Sequence, residues 1–146
     1  MANELYHQYS LLLDRTARRV KQYAQRCFAE QQFNITVDQW LVLKTLNNHN
    51  DLNQSELAEL TGKDQPTLTR IVDLLCKKGY AERRQHASDR RCFVVHLTAA
   101  GMAVVTQWTP RVNRIRMKAW KNLTERDYET LKRILNTIYN NLELNE

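Results

Sequence analysis

The stretch that decides the architecture is Asp64-Gln65-Pro66-Thr67-Leu68-Thr69-Arg70-Ile71-Val72-Asp73-Leu74-Leu75-Cys76-Lys77-Lys78-Gly79, continued by Tyr80-Ala81-Glu82-Arg83-Arg84-Gln85. Leu68, Ile71, Val72, Leu75 and Cys76 recur at steps of three and four, which is one face of an α-helix. Asp64 stands where an N-cap belongs, Pro66 falls in the first turn where a missing N–H costs nothing, and Gly79 can end the helix. The pattern then changes. Tyr80–Gln85 and Cys92–Leu97 are short runs with β-branched or aromatic members on either side of polar His86–Arg91, which predicts a β-hairpin.

Working toward the N-terminus, Asn53 and Glu56 have capping-box spacing before Leu57, Ala58 and Leu60, and Gly62 closes that short segment. Two helices separated by about three residues around Gly62 have the outline of a helix-turn-helix. Thr36 and Gln39 repeat the capping box ahead of Trp40, Leu43 and Leu46. Leu5–Phe28 reads as one long helix with Leu5, Tyr9, Leu12, Leu13, Thr16, Val20, Tyr23, Ala24 and Cys27 on a single face. Toward the C-terminus, Thr98 caps a long segment carrying Val104, Val105, Trp108, Val112, Ile115, Ala119 and Leu123, which Pro110 should kink. Thr124 caps a last helix with Tyr128, Leu131, Ile134, Leu135, Ile138 and Leu142 on one stripe. The fold class is mainly α with a small β-hairpin wing: a winged helix-turn-helix flanked by long helices.

With three glycines and two prolines in 146 residues, the chain lacks the punctuation of an all-β protein. Its length suits one domain with a real core. At 42% hydrophobic and 26% charged, it has the composition of a soluble globular protein. The longest apolar runs, such as Trp40–Leu43, fall far short of a membrane span, and the first ten residues are too polar for a signal peptide, so the expected location is cytoplasmic. Cys27, Cys76 and Cys92 are an odd set without C-x-x-C spacing, which argues against a disulfide framework and a thiolate zinc site. His7, His49, His86 and His96 are scattered, so no metal site is expected. No G-x-S-x-G, P-loop, G-x-G-x-x-G or H-E-x-x-H occurs, and neither an enzyme nor a cofactor is implied.

A net charge of +6 makes a polyanionic partner plausible, and its distribution is more specific. Opposite the apolar stripe of the Asp64 helix lie Pro66, Thr67, Arg70, Asp73 and Lys77, flanked by Gln65 and Thr69. In a helix docked in the major groove, N-terminal side chains meet base edges: Arg suits guanine, Gln suits adenine, and a threonine methyl can meet a thymine methyl. Gln65, Thr67, Thr69 and Arg70 are therefore the expected base-reading group. The hairpin adds four arginines within nine residues, Arg83, Arg84, Arg90 and Arg91. Arg84, Ser88, Arg90 and Arg91 are expected to meet the DNA backbone or minor groove, with Asp89 orienting the wing by holding one arginine. The plainer alternative for both features is a solvated helix face and a solvated loop.

The runs Lys78-Gly79-Tyr80-Ala81-Glu82-Arg83-Arg84, Ser88-Asp89-Arg90-Arg91 and Val95-His96-Leu97-Thr98-Ala99-Ala100-Gly101 closely resemble the wing signature of the MarR family of bacterial regulators. Ile35-Thr36-Val37-Asp38-Gln39-Trp40, Gln54-Ser55-Glu56-Leu57-Ala58 and Thr67-Leu68-Thr69-Arg70 are similar to the starts of that family's successive lobe helices. The resemblance implies a homodimer that binds a pseudo-palindromic double-stranded operator, as a repressor released by a small aromatic or amphipathic ligand or another signal. It also implies an organisation of residues 1–34 as an N-terminal dimerisation helix, 35–101 as the DNA-binding lobe and 102–146 as C-terminal dimerisation helices. Tyr9, Leu12, Trp108, Val112, Leu131, Leu135, Ile138 and Leu142 are the expected dimer contacts, since the long helices carry more apolar surface than the small lobe needs. No effector-binding residue can be named. The peroxide-sensing branch has its cysteine early in the first helix, where this chain has Arg15 and its neighbours, which counts against that mode. The rival reading from another class is a winged-helix module that docks a protein through the same face.

Overall fold

Five helix starts are fixed by side chains that accept a hydrogen bond from the backbone N–H three residues on: Thr36, Asn53, Asp64, Thr98 and Thr124. At Thr36 and Thr124 the partner side chains, Gln39 and Asp127, accept a bond in return from the cap's own N–H, completing the capping box. The computed structural model describes residues 2–49 and 51–144. Helices α1 (Ala2–Leu5), α2 (Tyr9–Glu30) and α3 (Val37–Asn48) are followed by strand β1 (Leu52–Asn53). Helices α4 (Gln54–Thr61) and α5 (Gln65–Lys77), strands β2 (Ala81–Gln85) and β3 (Phe93–Leu97), and helices α6 (Ala99–Met117) and α7 (Glu125–Asn141) complete the chain. The three strands form one antiparallel sheet in the order β1-β3-β2. This is the expected mainly helical winged helix-turn-helix.

Three details depart from the sequence reading. The first helix is interrupted: Tyr9 N–H bonds to the carbonyl of Tyr6, three residues back, and only from Leu12 does four-residue bonding to Gln8 resume. The hairpin gains β1 as a third strand, pairing Leu52 with Val95 and Asn53 with Val94. Helix α6 runs unbroken through Pro110 but stops at Met117, and a 3₁₀ turn over Lys118–Trp120 leads out of it.

The core lies in the middle of the chain. Phe28, Val42, Leu43, Leu57, Leu68, Val72 and Leu75 are fully buried, drawn from α2, α3, α4 and α5, and Val95 and Val105 close it from β3 and α6. Phe33 stacks on Trp108 with ring centroids 3.7 Å apart, so the long helix α6 is fastened to the lobe by an aromatic contact. Gly62 has φ +65° in the turn between α4 and α5, a conformation that an L side chain adopts only with strain. Gly101 has a different reason to be glycine: a Cβ there would sit 2.0 Å from the carbonyl oxygen of Tyr80. That carbonyl accepts the N–H of Thr98, so the first turn of α6 lies directly on the root of the hairpin.

Candidate nucleic-acid interface

Helix α5 turns Leu68, Ile71, Val72 and Leu75 into the core and leaves its opposite face outward. Gln65 and Arg70 are exposed, and Thr67 and Thr69 are half-buried. Asp64 accepts the N–H of Thr67 at 2.8 Å, and this bond holds its carboxyl below the usual carboxylate range. The cap thus stays ionised at the positive end of the helix dipole. The hydroxyl of Thr69 is already engaged: Oγ1 donates to the carbonyl of Gln65 at 2.9 Å and accepts from Gln54 Nε2 at 2.5 Å. Gln54, at the first position of α4, was not among the residues expected from sequence. Its only local signal is its place beside the Asn53 cap.

In the wing, β2 and β3 pair in register from Ala81–Leu97 to Gln85–Phe93. The tip is held by its own bonds: His86 N–H to the carbonyl of Cys92 at 2.8 Å, and Cys92 N–H to the carbonyl of Asp89 at 3.1 Å. Asp89 was expected to hold an arginine side chain. Its carboxylate instead accepts the backbone N–H of Arg91 at 3.0 Å, so it orders the turn through the main chain. Ser88 bonds through both its N–H and its hydroxyl to His86 Nδ1. Among the described residues Arg70, Arg90 and Arg91 take part in no ion pair.

The two arginines on the strand are committed. Arg83 pairs with Asp73 of α5 at 2.7 Å, tying the wing to the helix. Arg84 binds Glu82, which also meets Nε2 of His96 at 2.7 Å on the strand opposite. The hydrogen bond from His96, with that of Arg84 behind it, keeps the Glu82 carboxyl below its ordinary range. Glu82 could have been found from sequence, because residues two apart on a strand share a face. Arg84 is therefore a cation already shared with a carboxylate, unlike Arg90 and Arg91.

Between α2, the start of α3 and the turn before α5, Asp38 bonds both Lys21 and Lys63 at 2.7 Å. Burial works against its ionisation, but the two lysines outweigh it and leave the carboxyl below the ordinary range. Burial pushes the Cys76 thiol up despite nearby Arg83, which makes it a poor thiolate.

The expected dimer residues divide. Leu12, Leu131, Leu135 and Leu142 are between 37% and 61% exposed, Tyr9 is exposed and Ile138 half-buried. Val112 is buried and Trp108 half-buried against Phe33, so these two pack within the chain itself. Among the described residues no group of three or more His, Cys, Asp or Glu could hold a metal ion, and no helix is long and apolar enough to cross a membrane.

A sequence model of the MarR family matches residues 35–93, the span of α3 through the start of β3. Over that span the chain is similar to the MarR family. It is 29% identical over 103 residues to the transcriptional repressor MprA of Escherichia coli (strain K12), a match covering 70% of this chain and 58% of MprA. Its fold superposes on that of MepR from S. aureus in a MepR–DNA complex with a TM-score of 0.78 at 26% identity, covering 92% of this chain and 98% of MepR. A mutant of E. coli MarR complexed with operator DNA gives 0.79 at 26% identity, covering 94% and 97% of the two chains.

Proposed function

We propose that this chain is a cytoplasmic, sequence-specific DNA-binding transcription regulator, a repressor that grips a pseudo-palindromic operator as a homodimer and lets go when a small ligand or other signal arrives. The observation that carries this reading is the joint exposure of two cationic, donor-rich features on one lobe. The first is the start of α5, with Gln65 and Arg70; the second is the wing tip, with Arg90 and Arg91 outside any ion pair among the described residues. Gln65, Thr67, Thr69 and Arg70 meet base edges in the major groove, while Arg90 and Arg91 follow phosphates or enter the minor groove, with Ser88 and Asp89 shaping the tip. Arg84 contributes through the charge cluster at the wing root. The DNA complexes of MepR and MarR, proteins of closely similar fold, support the same use of this lobe.

Dimerisation rests on the apolar stripes of α2 and α7. Residues 1–34 and 102–146 form the dimer body and 35–101 the reading lobe, with Tyr9, Leu12, Leu131, Leu135, Ile138 and Leu142 at the contact and Trp108 and Val112 packed behind it. Two lobes fixed to one body fit half-sites about one helical turn apart, ~34–36 Å, at one separation only, so a signal that changes the separation releases the operator.

The test is a selection from randomised duplexes followed by a salt series, with the mass of the bound species recorded. Enrichment of a two-fold symmetric site by a species of twice 17.3 kDa is expected. Weak, salt-labile binding without an enriched sequence would overturn the reading in favour of a protein-docking winged helix.

A further inference from the structure

The Gln54–Thr69–Gln65 chain of hydrogen bonds bears on what part of the DNA this helix can read. A threonine hydroxyl has one proton to give. In Thr69 that proton goes to the carbonyl of Gln65 at 2.9 Å, one turn back along α5, and the oxygen also accepts from Gln54 Nε2 at 2.5 Å. Both partners belong to the protein, and Gln54 comes from α4, so the hydroxyl is gripped from two helices. A base edge approaching Thr69 meets no free donor. What the half-buried side chain still offers is its γ-methyl group.

We propose that Thr69 reads a thymine through methyl–methyl contact, and that Gln54 is the positioning residue that keeps its hydroxyl turned away from the DNA. The assignment rests on the DNA-binding reading above and sharpens it: a hydroxyl contact would favour several bases, whereas a methyl contact favours the one base that carries a C5-methyl group. Thr69 thus sets preference for thymine at one position of each half-site, beside whatever base Arg70 engages.

The test replaces each thymine of the selected site with deoxyuridine, one at a time, which deletes only the methyl group. For the unaltered protein one position per half-site should weaken binding by about fourfold, the value of burying a single methyl group. Thr69→Val keeps methyl groups and removes the hydroxyl, and should retain that difference between thymine and uracil. Thr69→Ser keeps the hydroxyl and removes the methyl, and should bind both duplexes alike. Gln54→Ala should bring the ratio below about twofold while leaving affinity for random duplex unchanged, a separation that mere loss of structure would not give. The proposal is overturned if Thr69→Ser still discriminates, if Thr69→Val does not, or if no single thymine matters. A selection that enriches no sequence would instead remove the DNA reading itself, and the Thr69 assignment with it.

Discussion

Helices α5 and α7 are written in the same alternation and meet opposite fates. In α5 the residues Leu68, Ile71, Val72 and Leu75 are buried in the lobe core. In α7 the stripe Tyr128, Leu131, Ile134 and Leu135, continued by Leu142 at the C-cap, keeps between 37% and 61% of its surface exposed, and no described residue of that helix is buried. The first half of α2 behaves like α7: Tyr9, Leu11, Leu12, Leu13 and Val20 are exposed, and burial begins only at Ala24 and Phe28, where the helix reaches the lobe. An amphipathic period states that a face needs cover; it does not state which chain supplies it. The lobe covers itself, and the stripes of the terminal helices are the surface left for the proposed second copy.

Changes in the two regions should therefore fail in different ways. The largest effect is expected from Leu135→Asp combined with Ile138→Asp, which places charges on the α7 stripe: the dimer mass and operator binding should both disappear. An intact dimer by light scattering would move the interface elsewhere. Next, Leu68→Ala, at a side chain with no exposed surface, should destabilise by about 2–5 kcal/mol, since a cavity forms among fixed neighbours. In denaturant melts the effect of Leu131→Ala should depend on protein concentration and that of Leu68→Ala should not; equal behaviour would erase the distinction between the regions.

Within the lobe, Arg70→Ala should cost roughly 1–3 kcal/mol on the selected site and relax the preference at one base pair. Unchanged specificity would remove Arg70 from base reading. Replacing both Arg90 and Arg91 with alanine should flatten the plot of log affinity against log salt by about one unit for each phosphate no longer neutralised, with sequence preference retained. An identical slope would exclude phosphate binding at the wing tip. The smallest effect concerns Asp38. Its folded-state pKa lies below the ordinary value of 3.8, so its ionised form stabilises the fold above that pH, and the contribution disappears as pH falls through the lower folded value. The melting-temperature gap between the unaltered protein and Asp38→Asn should begin to narrow below about pH 4 and close as the pH falls through the lower folded value, and a gap that persisted in acid would assign the role to packing.

Much of this was legible because the signals were local. A cap and its target lie three residues apart, so Thr36, Asn53, Asp64, Thr98 and Thr124 announce their helices without reference to the rest of the chain. Strand β1 has two residues and no period to detect; only its pairing with β3 makes it a strand. The same limit applies at the interface. That Gln65, Arg70 and the wing arginines face outward follows from helical and hairpin geometry. Which of them already have partners depends on bonds between elements: Gln54 of α4 on Thr69, Asp73 of α5 on Arg83, and His96 across the sheet on Glu82. For the same reason Val112, on a stripe that reads as continuous with the proposed dimer face, lies inside the core of its own chain.

The close seat of Gly101 on the Tyr80 carbonyl has a mechanical meaning. With no side chain between them, and with Thr98 bonded to the same oxygen and to the carbonyl of Gly79, the hairpin root and the first turn of α6 have no slack to slide past one another. Helix α6 is 19 residues long, or about 28 Å at 1.5 Å per residue. It is a rigid rod with the wing clamped to one end, so each degree of tilt about the other end carries the wing through about 0.5 Å at that length. A small displacement among the terminal helices would be geared up, without any new bond, into a stride of the arginine tip along the proposed operator.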